Sequence, residues 1–186
     1  MPTSTSQKTS SNASPHPSDP ARRHRPLLLG IDPGLAATGW GLLDDASHVV
    51  ACGTIRTQPG PAGQRLLQLV GELRAVLTGH LVAEVALEEL FMGRNATSAI
   101  GVAQARGAIL VTLAAAGLPV VEYKPAQVKA ALTGYGMAGK AQMIRMLELQ
   151  VRAPGRLDEH AADALSIALC HARSRRLRGM VEGGRR

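Results

Sequence analysis

Acidic residues stand at the ends of two apolar runs and in the first turns of the last predicted helix. Asp32 ends one run and precedes a Pro-Gly turn, while Glu88 and Glu89 end the other. Asp163 lies among alanines and leucines, where an unpaired carboxylate would be costly, so we expect a metal ion or another cation beside it. Carboxylates gathered in one place repel one another and favour a hard divalent cation. The pattern therefore predicts a metal site.

The chemistry expected of such a site is phosphodiester hydrolysis. Two divalent ions about 3.5–4 Å apart can activate water and stabilise the leaving oxygen. Asp32 is also compatible with a simple turn, because Asp-Pro-Gly is a common turn sequence. Successive strand residues point to opposite faces, so only one of Glu88 and Glu89 can face Asp32. The spacing alone does not say which.

The last predicted helix offers two polar neighbours for Asp163. His160 precedes it by three residues and Glu159 by four, and both spacings place side chains on one helical face. The partner of Asp163 therefore stays open. Asp158 is expected to cap the start of this helix. His171 is expected to lie with the basic residues at its end, where the helix dipole favours positive charge.

Basic residues predict a nucleic-acid partner. The formal net charge is +7, and arginines, which outnumber lysines, suit bidentate contact with phosphate oxygens. Three of the four lysines, Lys124, Lys129 and Lys140, fall in one short stretch, with Tyr135 between the last two. This stretch is expected to follow a phosphate backbone, although solvated surface lysines would give the same pattern.

Phe91 is the only phenylalanine in the chain and follows the second acidic segment directly. A lone aromatic residue usually packs in a core. Here it lies where a strand becomes a loop, close to Arg94, and a ring exposed there can stack on an unpaired base. Such stacking is worth about 1–3 kcal/mol per base.

Hydrophobic periodicity predicts an α/β fold. Apolar runs and turn residues predict strands at 27–31, 38–43, 49–57, 81–90 and 118–123. Helical periodicity predicts helices at about 63–78, 96–116, 125–134, 141–151 and from 158 to the basic end. The expected sheet is mixed, with three antiparallel strands followed by two parallel ones, and helices flank it. The helix at 96–116 is rich in small residues, so we expect it to be deeply buried or to contact a second subunit.

Composition divides the chain into one domain and two tails. Residues 1–25 are rich in Ser, Thr and Pro and are expected to be disordered, 26–173 to form the domain, and 174–186 to form a basic C-terminal tail. No hydrophobic run reaches the length of a membrane span, and no apolar signal region precedes the domain. Cys52 and Cys170 are expected to be thiols. These features predict a cytoplasmic protein.

Several motifs in order resemble the RuvC family of bacterial Holliday-junction resolvases, which have an RNase H-like fold. The resemblance runs from about Leu28 to Ala172 and is carried by GIDPGLAATGWG, LEELFMGRNATSA, QARG, QVKAALTGYGMAGK and HAADALSIA. It implies a crossover junction endodeoxyribonuclease, active in homologous recombination and DNA repair, that nicks opposing strands of a four-way junction. It also implies a homodimer that works with the RuvA–RuvB branch-migration complex.

The resemblance also implies roles for individual residues. Asp32, Glu88 rather than Glu89, and Asp163 match the catalytic, metal-binding acids of the family. His160 stands where many members have aspartate, and some have histidine, so it is included as a catalytic and metal-binding residue. The implied cofactor is Mg²⁺, two ions per subunit. Mn²⁺ is expected to substitute or to be preferred, because imidazole is a softer ligand than carboxylate.

Three further positions match DNA-contacting residues of the family, and Arg94 is expected to bind DNA with them. Phe91 matches a residue that wedges or stacks at the junction centre, and Arg94 lies beside it. Lys129 and Lys140 match basic positions near the scissile phosphates.

Other classes of function stay open at this point. The segment that begins at Asp32 also resembles the phosphate loop of actin-like and sugar-kinase ATPases, but those proteins need a second similar domain. A non-catalytic module that binds DNA junctions would retain the fold, and the intact set of acids argues against it. A nuclease of RNase H-like fold that acts on RNA is the third alternative, and the Phe91 segment and the lysines favour a junction substrate over it.

Overall fold

The computed structural model describes residues 26–89, 96–151 and 157–183. The strands in these ranges are β1 Leu27–Asp32, β2 Ala37–Leu43, β3 Val49–Arg56, β4 Val82–Glu88 and β5 Val120–Tyr123. The helices are α1 Ala62–Gly79, α2 Ala96–Ala115, α3 Pro125–Thr133, α4 Lys140–Gln150 and α5 Glu159–Gly183. The predicted elements are present, with small shifts at their ends. The segment 1–25, Phe91 and Arg94 lie outside the described residues.

The strands form one five-stranded sheet in the order β3-β2-β1-β4-β5. β2 is antiparallel to β1 and β3, whereas β4 is parallel to both β1 and β5. The predicted mixed sheet is confirmed. β1 occupies the centre because its run of leucine and isoleucine side chains can be buried on both faces. Its parallel pairing with β4 brings the carboxyl ends of the two strands to the same edge of the sheet.

Helices cover the two faces of the sheet unequally. α1 and α2 pack on one face, where Leu29 of β1 meets Leu73 and Ile109. α3, α4 and α5 pack on the other face, where Ala86 of β4 meets Leu165 of α5. The acidic residues of β1 and β4 are therefore on strands that both contact α5.

One side of α2 is buried and another is open to solvent. Ile109 and Leu113 are fully buried against α1 and the sheet, whereas Ile100 and Val111 are 61% and 71% exposed. The sequence-based alternative of deep burial is wrong for this side of the helix, and a contact with a second subunit stays a prediction.

The last helix continues beyond the predicted end of the domain. α5 extends to Gly183, through most of the segment that composition assigns to a basic tail. Arg173 donates to the carbonyl oxygen of Ala131, and Arg175 lies 3.3 Å from the carboxylate of Glu84. Some of the basic residues of this helix therefore bind the domain itself.

Two further acidic residues have local structural roles, and for Asp158 the predicted cap is confirmed. Asp44 is a turn residue of the β2–β3 hairpin, where its Oδ1 atom accepts a hydrogen bond from the backbone N–H of His48 at 2.8 Å. Asp158 caps α5, because its Oδ1 atom accepts a hydrogen bond from the backbone N–H of His160 at 2.9 Å.

Cys52 and Cys170 are free thiols, as predicted. Within the ranges that the structure describes, no helix is long and apolar enough to cross a membrane.

Candidate active site

Glycines in the two central strands allow α5 to lie directly on the sheet. A Cβ atom added to Gly30 would lie 2.1 Å from the carbonyl oxygen of Ala164, and one added to Gly39 would lie 1.9 Å from that of His160. No side chain fits in this space, so β1 and β2 accept the helix backbone itself. This close approach brings the first turns of α5 to the end of β1, where Asp32 lies.

Asp32 and Glu88 end neighbouring parallel strands. Ile31 of β1 is paired with Leu87 of β4, so the next residue of each strand lies at the same level of the sheet edge. Both carboxyl groups line one cleft, and Glu89, which alternates to the other side, does not. Sequence spacing could not decide which of the two glutamates faces the same side as Asp32. In the structure, it is Glu88.

The cleft has a volume of about 230 Å³, enough to admit a phosphodiester group. Its wall consists of the two strand acids and residues of α3, α4 and α5: Asp32, Glu88, Pro125, Val128, Lys129, Lys140, Met143, Asp163, Ser166 and Ile167. Three carboxylates and two lysines from five different elements therefore face the same space. We call Asp32, Glu88, Asp163, Lys140 and the adjacent His160 the cleft cluster.

Lys140 is the cation next to Asp163. Its Nζ atom lies 3.0 Å from Oδ2 of Asp163 and also donates to Glu159. Burial lowers the pKa of Lys140, but its two acidic partners outweigh this effect and the net shift is upward. The side chain is therefore an ammonium group. Sequence spacing could not decide which residue pairs with Asp163. In the structure, the partner is Lys140 of α4.

His160 pairs with the strand acid and not with its helical neighbour. Its Nδ1 atom lies 3.2 Å from Oδ2 of Asp32. The hydrogen bond joins the start of α5 to the end of β1. Because Nδ1 is engaged with Asp32, the Nε2 atom of a neutral imidazole keeps its lone pair for another partner.

Burial, and after it the crowding of negative charge, raises the pKa values of the two strand acids. Burial raises the pKa of Asp32; the hydrogen bond with His160 offsets part of this shift, and the charge of Asp163 adds to it. Burial, followed by repulsion from Asp32 and Asp163, raises the pKa of Glu88 to about 7, and the charge of Lys129 only partly opposes this. The cluster therefore resists full ionisation unless positive charge enters the cleft.

The donor set fits a divalent cation in its chemistry. Among the residues that the structure describes, no group of three or more His, Cys, Asp or Glu side chains is close enough together, as it stands, to hold a metal ion. The acids instead face the cleft from separate elements, with Lys140 compensating one of them. Oxygen ligands of this type suit Mg²⁺ and Mn²⁺, and the raised pKa values identify carboxylates that an incoming cation would stabilise.

The described part of the chain matches a known family over most of its length. A family model described as crossover junction endodeoxyribonuclease RuvC matches residues 28–171. The chain belongs to the RuvC family. As a member, it is a structure-specific endonuclease of Holliday junctions, and the RuvC family consists of metal-dependent nucleases.

Individual relatives agree with this assignment. The chain is 46% identical over 163 residues to the RuvC protein of Roseiflexus sp. (strain RS-1), covering 84% of this chain and 96% of the relative. It is 43% identical over 156 residues to the RuvC protein of Coxiella burnetii (strain Dugway 5J108-111), covering 82% and 91%.

Solved structures support the same fold. The chain superimposes on Thermus thermophilus RuvC, solved in complex with a Holliday junction substrate, with a TM-score of 0.76, 34% identity and coverage of 82% of this chain and 96% of that one. The yeast mitochondrial Holliday junction resolvase Ydc2 matches with a TM-score of 0.56 and 14% identity, covering 80% and 81%, which is a likeness of fold.

In this RuvC-family chain, Arg106 is a residue of the site region that sequence reasoning did not single out. Its guanidinium donates to the carbonyl oxygen of Glu88 at 2.6 Å and lies 2.6 Å from the carboxylate of Glu122. Arg106 therefore fixes the end of β4 from α2. It lies in the QARG motif, which served only to recognise the resemblance and gave no signal of this contact.

The expectation that His171 lies with the basic tail is wrong. Its side chain is fully buried, with Nδ1 at 2.8 Å from the hydroxyl of Tyr123 and Nε2 at 3.0 Å from the carboxylate of Glu84. Ala164, Ile167 and His171 follow helical spacing, so periodicity could have placed the histidine on the buried face. We call Tyr123, His171, Glu84 and Arg175 the buried cluster.

Proposed function

We propose that this chain cuts opposing strands of a four-way DNA junction with Asp32, Glu88, Asp163 and His160 as its catalytic and metal-binding residues. The observation that carries the proposal is the convergence of three carboxylates from β1, β4 and α5 on one cleft that lysines border. Membership of the RuvC family supports the activity, and the acidic cleft supports the proposed location of the site.

The four residues have distinct tasks in this proposal. Bound divalent cations, two Mg²⁺ per subunit or Mn²⁺ in their place, would supply a Lewis acid for the phosphodiester and a more acidic water. Asp32, Glu88 and Asp163 would hold them through carboxylate oxygens. His160 would orient Asp32 through Nδ1 and offer Nε2 as a further ligand, a role that fits Mn²⁺ better than Mg²⁺.

Lysines and the Phe91 segment are the proposed DNA contacts. Lys129 and Lys140 line the cleft, so their ammonium groups are within reach of a phosphodiester placed there. We assign Phe91 to stacking at the junction centre, a role that rests on the family resemblance, and Arg94, which follows it by three residues, to a neighbouring phosphate. In the sequence, both follow Glu88, the last residue of β4.

The active unit in this proposal is a homodimer in the cytoplasm. The exposed apolar side of α2, with Ile100 and Val111, is a surface that a second copy would bury. A two-fold symmetric protein matches the symmetry of a four-way junction and places one cleft on each opposing strand. The RuvA–RuvB branch-migration complex is the proposed partner on the same DNA. The proposed domain spans 26–173, with 1–25 and 174–186 as its flanking segments.

The decisive experiment offers the protein a synthetic four-way junction, a linear duplex and an RNA–DNA hybrid, each in Mg²⁺ and separately in Mn²⁺. We expect symmetric nicks in the junction alone, with activity in Mn²⁺ at least equal to that in Mg²⁺ because of His160. Cleavage of the hybrid would favour a nuclease that acts on RNA. Tight junction binding without cutting in either metal would favour a non-catalytic junction-binding module.

A further inference from the structure

The loop between α3 and α4 carries two exposed apolar side chains and leads directly into Lys140, which lines the cleft. This segment, residues 134–139, is called the Tyr135 loop below. It joins two helices that each place a lysine in the cleft, Lys129 in α3 and Lys140 at the start of α4. Tyr135 is 60% exposed and Met137 is 77% exposed. Along the chain, the loop therefore presents a ring and a thioether between the two lysines that line the cleft.

The loop is held in one shape by its own hydrogen bonds. Gly134 adopts a left-handed conformation with φ of 77° that ends α3, and its N–H donates to the carbonyl oxygen of Ala130 at 2.9 Å. The hydroxyl of Thr133 accepts the N–H of Tyr135 at 3.1 Å. Ala138, whose N–H donates to the carbonyl oxygen of Tyr135, is almost fully buried and anchors the far side. The exposure of Tyr135 therefore belongs to an ordered turn.

The two tyrosines of the chain have opposite surroundings. Tyr123 is buried and its hydroxyl pairs with His171. Tyr135, in contrast, is 60% exposed. Leu67, on α1, is also exposed, at 74%, but α1 packs on the face of the sheet opposite to the helices that carry the cleft lysines. Charge and position distinguish the Tyr135 loop from an ordinary exposed hydrophobic residue.

We propose that the Tyr135 loop binds an unstacked nucleotide next to the phosphate that enters the cleft. The ring of Tyr135 stacks on the base and Met137 packs against its edge or its sugar, while Lys129 and Lys140 hold the flanking phosphates. This inference rests on the proposed function and adds a base-contacting element to it. A base that must leave the duplex stack to meet Tyr135 does so most easily near the centre of a junction, so the loop favours cutting there.

The test compares Tyr135→Ala with Tyr135→Phe, which keeps the ring, and with Leu67→Ala as a matched exposed control. Single-turnover cutting of a four-way junction is measured in Mn²⁺. Loss of one stacked base predicts a decrease of about 5- to 150-fold for Tyr135→Ala. Tyr135→Phe and Leu67→Ala should cut at the wild-type rate, and all three should keep the wild-type melting temperature because the replaced side chains are exposed.

A second measurement reports stacking without cutting. Junctions that carry 2-aminopurine beside the cut site are bound in EDTA, and the emission of the probe is followed. We expect the wild-type protein and Tyr135→Phe to change the emission on binding, and Tyr135→Ala to lose this change. If Tyr135→Ala cuts normally and gives the wild-type emission change, the base-contacting role is wrong while the proposed function stands. If the wild-type protein does not cut the junction, both the proposed function and this inference are wrong.

Discussion

The cleft cluster and the buried cluster both combine a histidine of α5 with carboxylates of the sheet, yet they differ in how their charges are satisfied. In the buried cluster, the hydroxyl of Tyr123 donates to Nδ1 of His171, and Nε2–H donates to Glu84. In the cleft cluster, two acids of the sheet remain at raised pKa values. The polar groups of the buried cluster are hydrogen-bonded within the protein, whereas the acids of the cleft cluster would be stabilised by an added cation.

The pKa shifts of the two clusters express this difference. Burial lowers the pKa of His171, and the carboxylate of Glu84 only partly opposes this shift, so the neutral ring that both hydrogen bonds require is favoured. In the cleft, burial raises the pKa values of Asp32 and Glu88, and the negative charge of Asp163 adds to both shifts. A satisfied polar network stabilises a fold, and an unsatisfied one marks a binding site.

The largest expected effect separates chemistry from binding in the cleft cluster. Asp32→Asn should lower single-turnover junction cutting by at least about a thousandfold, because an amide cannot replace a charged metal ligand. Junction affinity, measured by fluorescence anisotropy in EDTA, should stay near the wild-type value. Asp45→Asn, in the exposed β2–β3 turn, is the control and should cut normally. A parallel loss of affinity in Asp32→Asn would contradict the assignment of this acid to metal binding.

The next effect concerns stability in the buried cluster. His171→Ala removes a fully buried ring and leaves Tyr123 and Glu84 without their partner, so we expect a loss of about 2–4 kcal/mol in the free energy of unfolding. Urea denaturation measures it. Tyr123→Phe, which removes only the hydroxyl, should cost about 1 kcal/mol. Unchanged stability in His171→Ala would show that the network contributes nothing to the fold.

Stability of the metal-free protein should depend on pH through Glu88. Its pKa rises from 4.5 to about 7 on folding, so the folded state retains a proton that the unfolded state loses. This proton contributes to the free energy of unfolding below pH 4.5, and the contribution is lost as the pH rises through about 7. The loss amounts to no more than about 3 kcal/mol. Urea denaturation in EDTA between pH 4.5 and 8 measures the trend. Glu88→Gln should lack this component, and identical pH profiles for the two proteins would refute it.

The smallest expected effect concerns competition inside the cleft cluster. The ammonium group of Lys140 lies on Asp163, where a metal ion would also bind, so Lys140→Gln should tighten Mn²⁺ binding about two- to fivefold in the absence of DNA. Electron paramagnetic resonance of free Mn²⁺ measures it. Lys124→Gln, which does not line the cleft, is the control. Weaker Mn²⁺ binding in Lys140→Gln would mean that the lysine supports the metal site and does not compete for it.

Much of this protein could be predicted from local patterns in its sequence. Apolar runs and turn residues determine the five strands, because buried strands and tight turns depend on residues close together in the chain. The same patterns place Asp32 and Glu88 at the ends of β1 and β4. Asp158 at the start of α5 follows the ordinary chemistry of helix capping.

Only the tertiary structure decided which side chains meet. Glu88 faces the cleft because the pairing of β4 with β1 fixes which side of the strand each glutamate takes. Lys140 reaches Asp163 because α4 packs against α5, and α5 reaches the end of β1 because Gly30 and Gly39 let it lie directly on the sheet. These contacts join residues far apart in the chain, and their free energies depend on burial and on neighbouring charge, which no local pattern of residues contains.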